Sequence, residues 1–262
     1  MQKPHILIVE DDAHISKLIK YNLNKDNIFH NLEEDLITEA VTTIENWETY
    51  KPTPLIELNK LSSYLNINKI YYKDEGFRFD LKSFKALGGA FAVNKIVKDT
   101  KAKTVSTATA GNHGRSVAWG SQRLGVECKI FISEFVSESR AEAMRNLGAD
   151  VIRVKGNYDA SLKECINQSK NNNWEIVQDV SWEGYKTVPR YIMAGYTIMI
   201  KEIFDKIDKT TQITPIRQTE PRDKMTCDIL PAPILEVLQT PVSGIKWRKM
   251  LPGIEKQEIK FG

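Results

Sequence analysis

Cysteine is scarce in this chain of 262 residues: Cys128, Cys165 and Cys227 lie far apart, without metal-ligand spacing. An odd, unpatterned set fits a reducing compartment better than a disulfide framework, so a cytoplasmic location is expected. Long apolar runs are missing too. None reaches the ~18 residues that a membrane span requires. Charged residues fall within the first dozen positions with no long apolar core, so no signal peptide is read there. Neither sign of charge dominates: Lys plus Arg number 37 against 34 Asp plus Glu. A net charge of +3 gives no reason to expect a nucleic-acid surface. What is present is ordinary for a soluble globular protein, at 41% hydrophobic and 27% charged residues. The length suffices for one large or two small domains.

Three segments differ in character. Within residues 1–26, His5-Ile6-Leu7-Ile8-Val9 reads as a short buried strand, followed by the acidic cluster Glu10-Asp11-Asp12 and an amphipathic helix over 13–24. This piece resembles the opening of a response-regulator receiver domain, where clustered carboxylates hold magnesium. The resemblance ends before a phosphate-accepting aspartate or the later lysine could occur. Asp11 and Asp12 are therefore read as solvated, and no metal site is expected.

Residues 27–207 alternate strand and helix signals, the pattern of a parallel α/β fold. Strands are expected over 69–73, 104–107, 127–132, 150–154 and 175–177. Helices are expected from near Ser83 and over 112–124, 139–147, 159–171 and 188–207. Gly125 and Gly148 follow helical patterns, where glycine accepts a left-handed cap. In residues 208–262 the periodicity fails, interrupted by Thr210, Thr211, Thr214, Pro215, Thr219 and Pro221, then by four further prolines. Only 234–238 reads as a short element, and the tail is expected to be poorly ordered.

Chemistry concentrates in two runs of the middle segment. The first is Lys73-Asp74-Glu75-Gly76-Phe77-Arg78-Phe79-Asp80-Leu81-Lys82-Ser83-Phe84-Lys85-Ala86-Leu87-Gly88-Gly89. The second is Ser106-Thr107-Ala108-Thr109-Ala110-Gly111-Asn112-His113-Gly114. A lysine thus opens one helix, and a Gly/Asn loop opens the next. A buried lysine amine loses its proton more easily than a solvated one and can then attack an aldehyde. A glycine-rich strand-to-helix turn shows backbone N–H groups to an anion or a ring oxygen. Together they suit an aldehyde cofactor that carries a phosphate.

These runs resemble the fold-type II pyridoxal-phosphate enzymes, and among them the diaminopropionate ammonia-lyases. The likeness extends to Pro52-Thr53-Pro54-Leu55, Asn157-Tyr158-Asp159, Val177-Gln178-Asp179 and Trp182-Glu183-Gly184-Tyr185, and spans 27–207. It implies an α/β fold with a parallel sheet flanked by helices and an incomplete second domain. It also implies a pyridoxal 5'-phosphate cofactor, a small amino-acid substrate and a homodimer.

The resemblance assigns Lys85 as the lysine that binds the cofactor aldehyde and then shuttles protons. Asn112 would hold the ring hydroxyl oxygen, with Gly111 and Gly114 permitting close backbone approach. Asp179 would be the general base for an L-substrate, its pKa raised by desolvation against Trp182 and Tyr185. Asp74 and Arg78 would contact substrate or pair with each other. Ser83 caps its helix or meets the phosphate, Trp119 belongs to the core, and Cys128 is buried and inert. His113 packs against the sheet or takes a catalytic part.

Two departures stand out. Ala110 occupies the place of the aspartate that serves the D-substrate in the ammonia-lyases, so an L preference follows. The glycine loop that grips the cofactor phosphate has no counterpart in 208–262. The implied reaction is β-elimination from 2,3-diaminopropionate to pyruvate and ammonia. The alternatives are a serine or threonine dehydratase-like lyase, whose Ala-Gly-Asn-His form Ala110 reproduces, and a non-catalytic receiver–lyase fusion fragment.

Overall fold

The computed structural model describes residues 5–7, 32–64, 69–207 and 214–216. The helix expected over 13–24, the element at 234–238 and nearly all of the tail lie outside the described residues. In chain order the elements begin β1 (His5–Leu7), α1 (Glu34–Glu45), β2 (Leu55–Glu57), α2 (Asn59–Tyr64) and β3 (Ile70–Lys73). A 3-10 turn at Glu75–Phe77 leads to α3 (Lys85–Thr100), β4 (Thr104–Ala108), α4 (Asn112–Leu124) and β5 (Glu127–Ser133). Then follow α5 (Glu138–Arg145), β6 (Asp150–Val154), α6 (Tyr158–Asn172), β7 (Glu175–Ile176), α7 (Thr187–Phe204) and β8 (Thr214–Ile216). No helix among the described residues is long and apolar enough to cross a membrane.

The chain forms two compact units, each discontinuous in sequence. One comprises Met1–Ile28, Pro54–Asp74 and Ile203–Gly262. Its sheet has the order β2-β3-β1-β8, with β1 parallel to both neighbours and β2 antiparallel to β3. This sheet draws strands from all three segments distinguished in the sequence. The periodicity break expected at Thr214 and Pro215 is corrected, because both lie in β8, with Pro215 opposite Ile6. An edge strand tolerates proline, since its outward N–H has no ladder partner to lose.

The other unit comprises Phe29–Thr53 and Glu75–Glu202. Its sheet is wholly parallel, in the order β6-β5-β4-β7. The strands match the expected positions, and β4 and β5 are nearly continuous buried runs, as a sheet covered on both faces requires. Successive residues of β5 show the two faces. Phe131 packs with Ala108, Cys165, Leu162 and Trp174 towards α6, whereas Ile130 lies against α4. The chain winds outward from β4 through β5 to β6, then returns through α6 to β7 on the far side of β4. The winding reverses at β4, so its C-terminal end is the topological switch point where open α/β sheets place ligands.

Helix α3 is not the amphipathic surface helix that a lone lysine usually marks. Every residue from Lys85 to Val93 is buried. Small residues bring other helices onto it. A Cβ on Gly195 of α7 would stand 2.5 Å from Leu87 O, and one on Gly120 of α4 would stand 2.7 Å from Ala90 Cα. Backbone thus meets backbone on two sides of the helix that begins with Lys85. Helix α1, not among the expected elements, buries Leu36, Ala40 and Ile44 at four-residue spacing.

Candidate active site

The approach to Lys85 is anchored before it is strained. Arg78 is fully buried, and each nitrogen of its guanidinium meets oxygen: Nε donates to Glu75 Oε2 (2.8 Å), Nη1 to Glu202 Oε1 (2.8 Å) and Lys51 O (3.3 Å). Nη2 lies 2.7 Å from Glu75 Oε1, 2.8 Å from Glu202 Oε2 and 3.1 Å from Thr53 Oγ1. The Tyr50 hydroxyl donates to Glu202 Oε1 at 2.9 Å. Burial opposes the Arg78 charge, but the bonds and fields of Glu75 and Glu202 outweigh it and hold the guanidinium above its ordinary range. Substrate contact by Arg78 is therefore corrected: its five N–H groups are engaged, and Glu75 and Glu202 stand where Asp74 was considered as partner. Asp74 belongs to the other unit, where its backbone N–H donates to Pro54 O at 2.9 Å.

Beyond Arg78 the chain takes left-handed φ at three residues with side chains: Phe79 (49°), Asp80 (58°) and Lys82 (55°). Such conformations persist only where surroundings enforce them. Phe79 is held in an aromatic cluster, its ring 4.7 Å from Trp119 and 5.5 Å from Trp47, with the Arg123 guanidinium 4.9 Å over both indoles. Trp119 thus belongs to packing, as expected. Ser83 Oγ accepts from the Lys85 N–H at 3.3 Å and so serves the first turn of α3.

The Lys85 side chain, 11% exposed, places Nζ 3.2 Å from Asp179 Oδ2. His113 Nδ1 approaches the same oxygen at 3.6 Å, while its Nε2 lies 2.8 Å from Val177 O. The fold brings these residues together from three elements. Lys85 opens α3, His113 lies in the first turn of α4 just after β4, and Asp179 follows β7. Gln178, fully buried, clamps the last of them. Its Oε1 accepts from Ala108 N–H (3.0 Å) and Thr107 Oγ1 (2.8 Å), and its Nε2 donates to Ala108 O (2.8 Å) and Tyr158 Oη (2.7 Å).

The electrostatics of Asp179 correct the sequence expectation. Burial does push its carboxyl up, but the field of His113 in its protonated form, the Lys85 charge and the Lys85 hydrogen bond outweigh it, leaving the group below its ordinary value. Trp182 and Tyr185 stack on each other at 4.0 Å. The Tyr185 hydroxyl is taken up by backbone, accepting from Gln178 N–H (2.8 Å) and donating to Ile176 O (2.7 Å). That aromatic pair shapes the end of β7.

At the N-terminus of α4, Asn112 is exposed, and a Cβ on Gly111 would meet nothing within 4 Å. Gly114 is different. A Cβ there would collide with Thr109 and with Met144 Sδ (2.6 Å), so packing by itself requires a glycine at that place. Ala110 is exposed, and its carbonyl accepts from Arg140 Nη1 at 3.3 Å. Cys128 is buried, and burial raises its thiol to about 12, consistent with an inert core residue. Gln178 and His113 join the site through the fold rather than through a sequence motif alone. The signal for Gln178 was its place between an apolar residue and Asp179 at a strand end.

Comparison with known proteins adds to this geometry. The chain is similar to diaminopropionate ammonia-lyase of Escherichia coli (strain K12), 35% identical over 184 residues, covering 63% of this chain and 46% of that protein. It is also similar to the biosynthetic L-threonine dehydratase of the same strain, 33% identical over 138 residues, covering 53% of this chain and 26% of the relative. Among solved structures, E. coli diaminopropionate ammonia lyase in apo form superposes with a TM-score of 0.63 at 34% identity, over 67% of this chain and 52% of that one. The chain therefore spans about half the length of the ammonia-lyases it matches. The family described as "Pyridoxal-phosphate dependent enzyme" matches residues 47–213, and the chain belongs to that family.

Proposed function

We propose that this chain is a carbon–nitrogen lyase that uses pyridoxal 5'-phosphate to eliminate ammonia from L-2,3-diaminopropionate, yielding pyruvate. The observation that carries the reading is the meeting of Lys85 Nζ with Asp179 at 3.2 Å, beside the turn of half-buried Gly111 and exposed Asn112 at the switch point. The residues fit the cofactor. Lys85 supplies a largely buried amine, Asn112 an amide for the ring hydroxyl oxygen, and Gly111 leaves room for a ligand where a side chain would stand. The chemistry supplied by bound pyridoxal phosphate is an electron sink for the substrate's α-carbon.

The protein's part is positioning and proton transfer. Asp179, held ionised by Lys85, accepts the α-proton. The C–H electron pair becomes a Cα=Cβ bond as the Cβ–N bond breaks, and the β-ammonium leaves as ammonia. Hydrolysis of the unsaturated amino acid then gives pyruvate and a second ammonia. Ala110 offers no carboxylate on its side, which supports the L preference. The same alanine favours a second reading, dehydration of a hydroxy amino acid such as threonine. A homodimer acting on a small amino acid in the cytoplasm completes the proposal.

Pyruvate release from L- and D-2,3-diaminopropionate, and 2-oxobutyrate release from L-threonine, test it in the cofactor-supplemented protein. The L-isomer should be preferred, with Ala110→Asp raising the D rate. Equal rates for both isomers would remove the stereochemical assignment, and threonine turnover alone would favour the second reading. Borohydride reduction and peptide mapping should place the pyridoxyl group on Lys85. A label spread over surface lysines would count against a built site.

A further inference from the structure

We propose that His113 and Asp179 share a proton, and that His113 is the positioning residue that takes up the proton Asp179 removes. The second half of this statement rests on the lyase reading, but the first does not. A carbonyl oxygen can only accept, so the 2.8 Å contact with Val177 O requires His113 Nε2 to carry its hydrogen in every protonation state. Only Nδ1 is left to vary. It is buried on a side chain 5% exposed, has no hydrogen-bond partner, and lies 3.6 Å from Asp179 Oδ2.

A purely structural buried histidine would have both nitrogens satisfied. Here one is satisfied, and the other points at a carboxylate from just beyond bonding range. Both contacts of the ring come from one short segment. Val177 fixes Nε2, Asp179 faces Nδ1, and between them Gln178 is clamped to Ala108 and Tyr158. The ring therefore cannot turn away without losing Val177. Catalytic hydrogen bonds are often long in unliganded enzymes, and a closure to about 2.8 Å would complete this one.

The transfer balances. The substrate C–H bond breaks and an O–H bond forms on Asp179. That O–H then breaks, an N–H forms on Nδ1 of a His113 ring that starts neutral, and an ionised carboxylate faces an imidazolium. Lys85 Nζ lies on the same Oδ2, so this oxygen keeps a second partner whenever the Lys85 amine is drawn into the reaction.

Labelling with [15N]histidine tests the pair in the cofactor-free full chain. There are 4 histidines, and the spectrum of His113→Gln identifies the signal that matters. Nε2 should be of the protonated type, and the Nδ1 shift should move on Asp179→Asn. A bare Nε2, or an Nδ1 signal indifferent to Asp179→Asn, overturns the pair. In the kinetic arm, His113→Gln keeps an amide donor for Val177 O but removes the basic Nδ1. It should lower kcat about tenfold or more with little change in KM, and His113→Asn should do the same. An unchanged kcat in either folded variant overturns the proton-holding role. Should the parent chain release no pyruvate from diaminopropionate, the lyase reading falls, and the NMR arm still decides the pair.

Discussion

Two clusters of buried charge within one unit use the same materials and reach opposite states. Around Arg78, two carboxylates, a threonine hydroxyl and a backbone carbonyl saturate the guanidinium, and Tyr50 adds a further donor to Glu202. Around Asp179, one carboxylate oxygen faces two basic groups at 3.2 and 3.6 Å, and His113 Nδ1 closes no hydrogen bond. A saturated network has no donor left for a ligand and fixes the backbone that leads away from it. An unsaturated one holds groups whose protons can still move. The left-handed turn at Phe79, Asp80 and Lys82 lies between the two, so the rigid cluster enforces the conformation that delivers Lys85.

This division can be broken by comparing rate with stability. Asp179→Asn should lower kcat on the L-isomer by about 10²–10⁴-fold, the usual worth of a general base. Its cost in unfolding free energy should be about 1.5–3 kcal/mol, the usual worth of a hydrogen bond to a charged group. Glu202→Gln should act on the fold instead, destabilising by about 3–5 kcal/mol because it leaves the buried Arg78 charge short of a partner. Urea unfolding of both variants measures this. If Asp179→Asn proved the more destabilising, the distinction between the clusters would fail.

A smaller effect sharpens the role of the turn. Asp80 is exposed and left-handed at φ 58°, so Asp80→Gly should relieve strain and raise stability by up to about 1 kcal/mol. A loss on the same urea assay would mean that the Asp80 side chain holds something in place.

The smallest effect is the pH dependence of the Asp179 cluster. Its carboxyl is depressed in the folded state, so its contribution is present above the unfolded value of about 4. It is lost as pH falls through the lower folded value. Acid unfolding of the parent should therefore be steeper below about pH 4 than that of Asp179→Asn. Parallel curves would show that Lys85 and His113 do not hold the carboxylate as the distances indicate.

Much of the parallel sheet was legible because its strands are short apolar runs between helices with capping residues. Gly125 and Asn173 close α4 and α6 in left-handed conformations, and Asn157 caps α6 through its side chain. Helix α1 and strand β8 were not read. The first has weak borders in the sequence, and the second contains a proline that is acceptable only at an edge. At the site, Lys85, Asn112 and Asp179 were readable as motif residues. The sense of the Asp179 shift was not, because it depends on which side chains face the carboxylate. Trp182 and Tyr185 adjoin it in sequence, yet Lys85 and His113 reach it in space.

The sequence by itself determined the alternation of strands and helices, the lysine at the head of a helix and the Gly/Asn turn at the head of the next. These are local matters, set by periodicity, caps and the conformations that glycine permits. Only the tertiary structure decided that Arg78 is an anchor and that Gly114 answers to Met144. It likewise decided that His113 and Lys85 converge on one oxygen of Asp179. Those outcomes depend on distances between residues dozens of positions apart, which burial and backbone packing fix and no local pattern records.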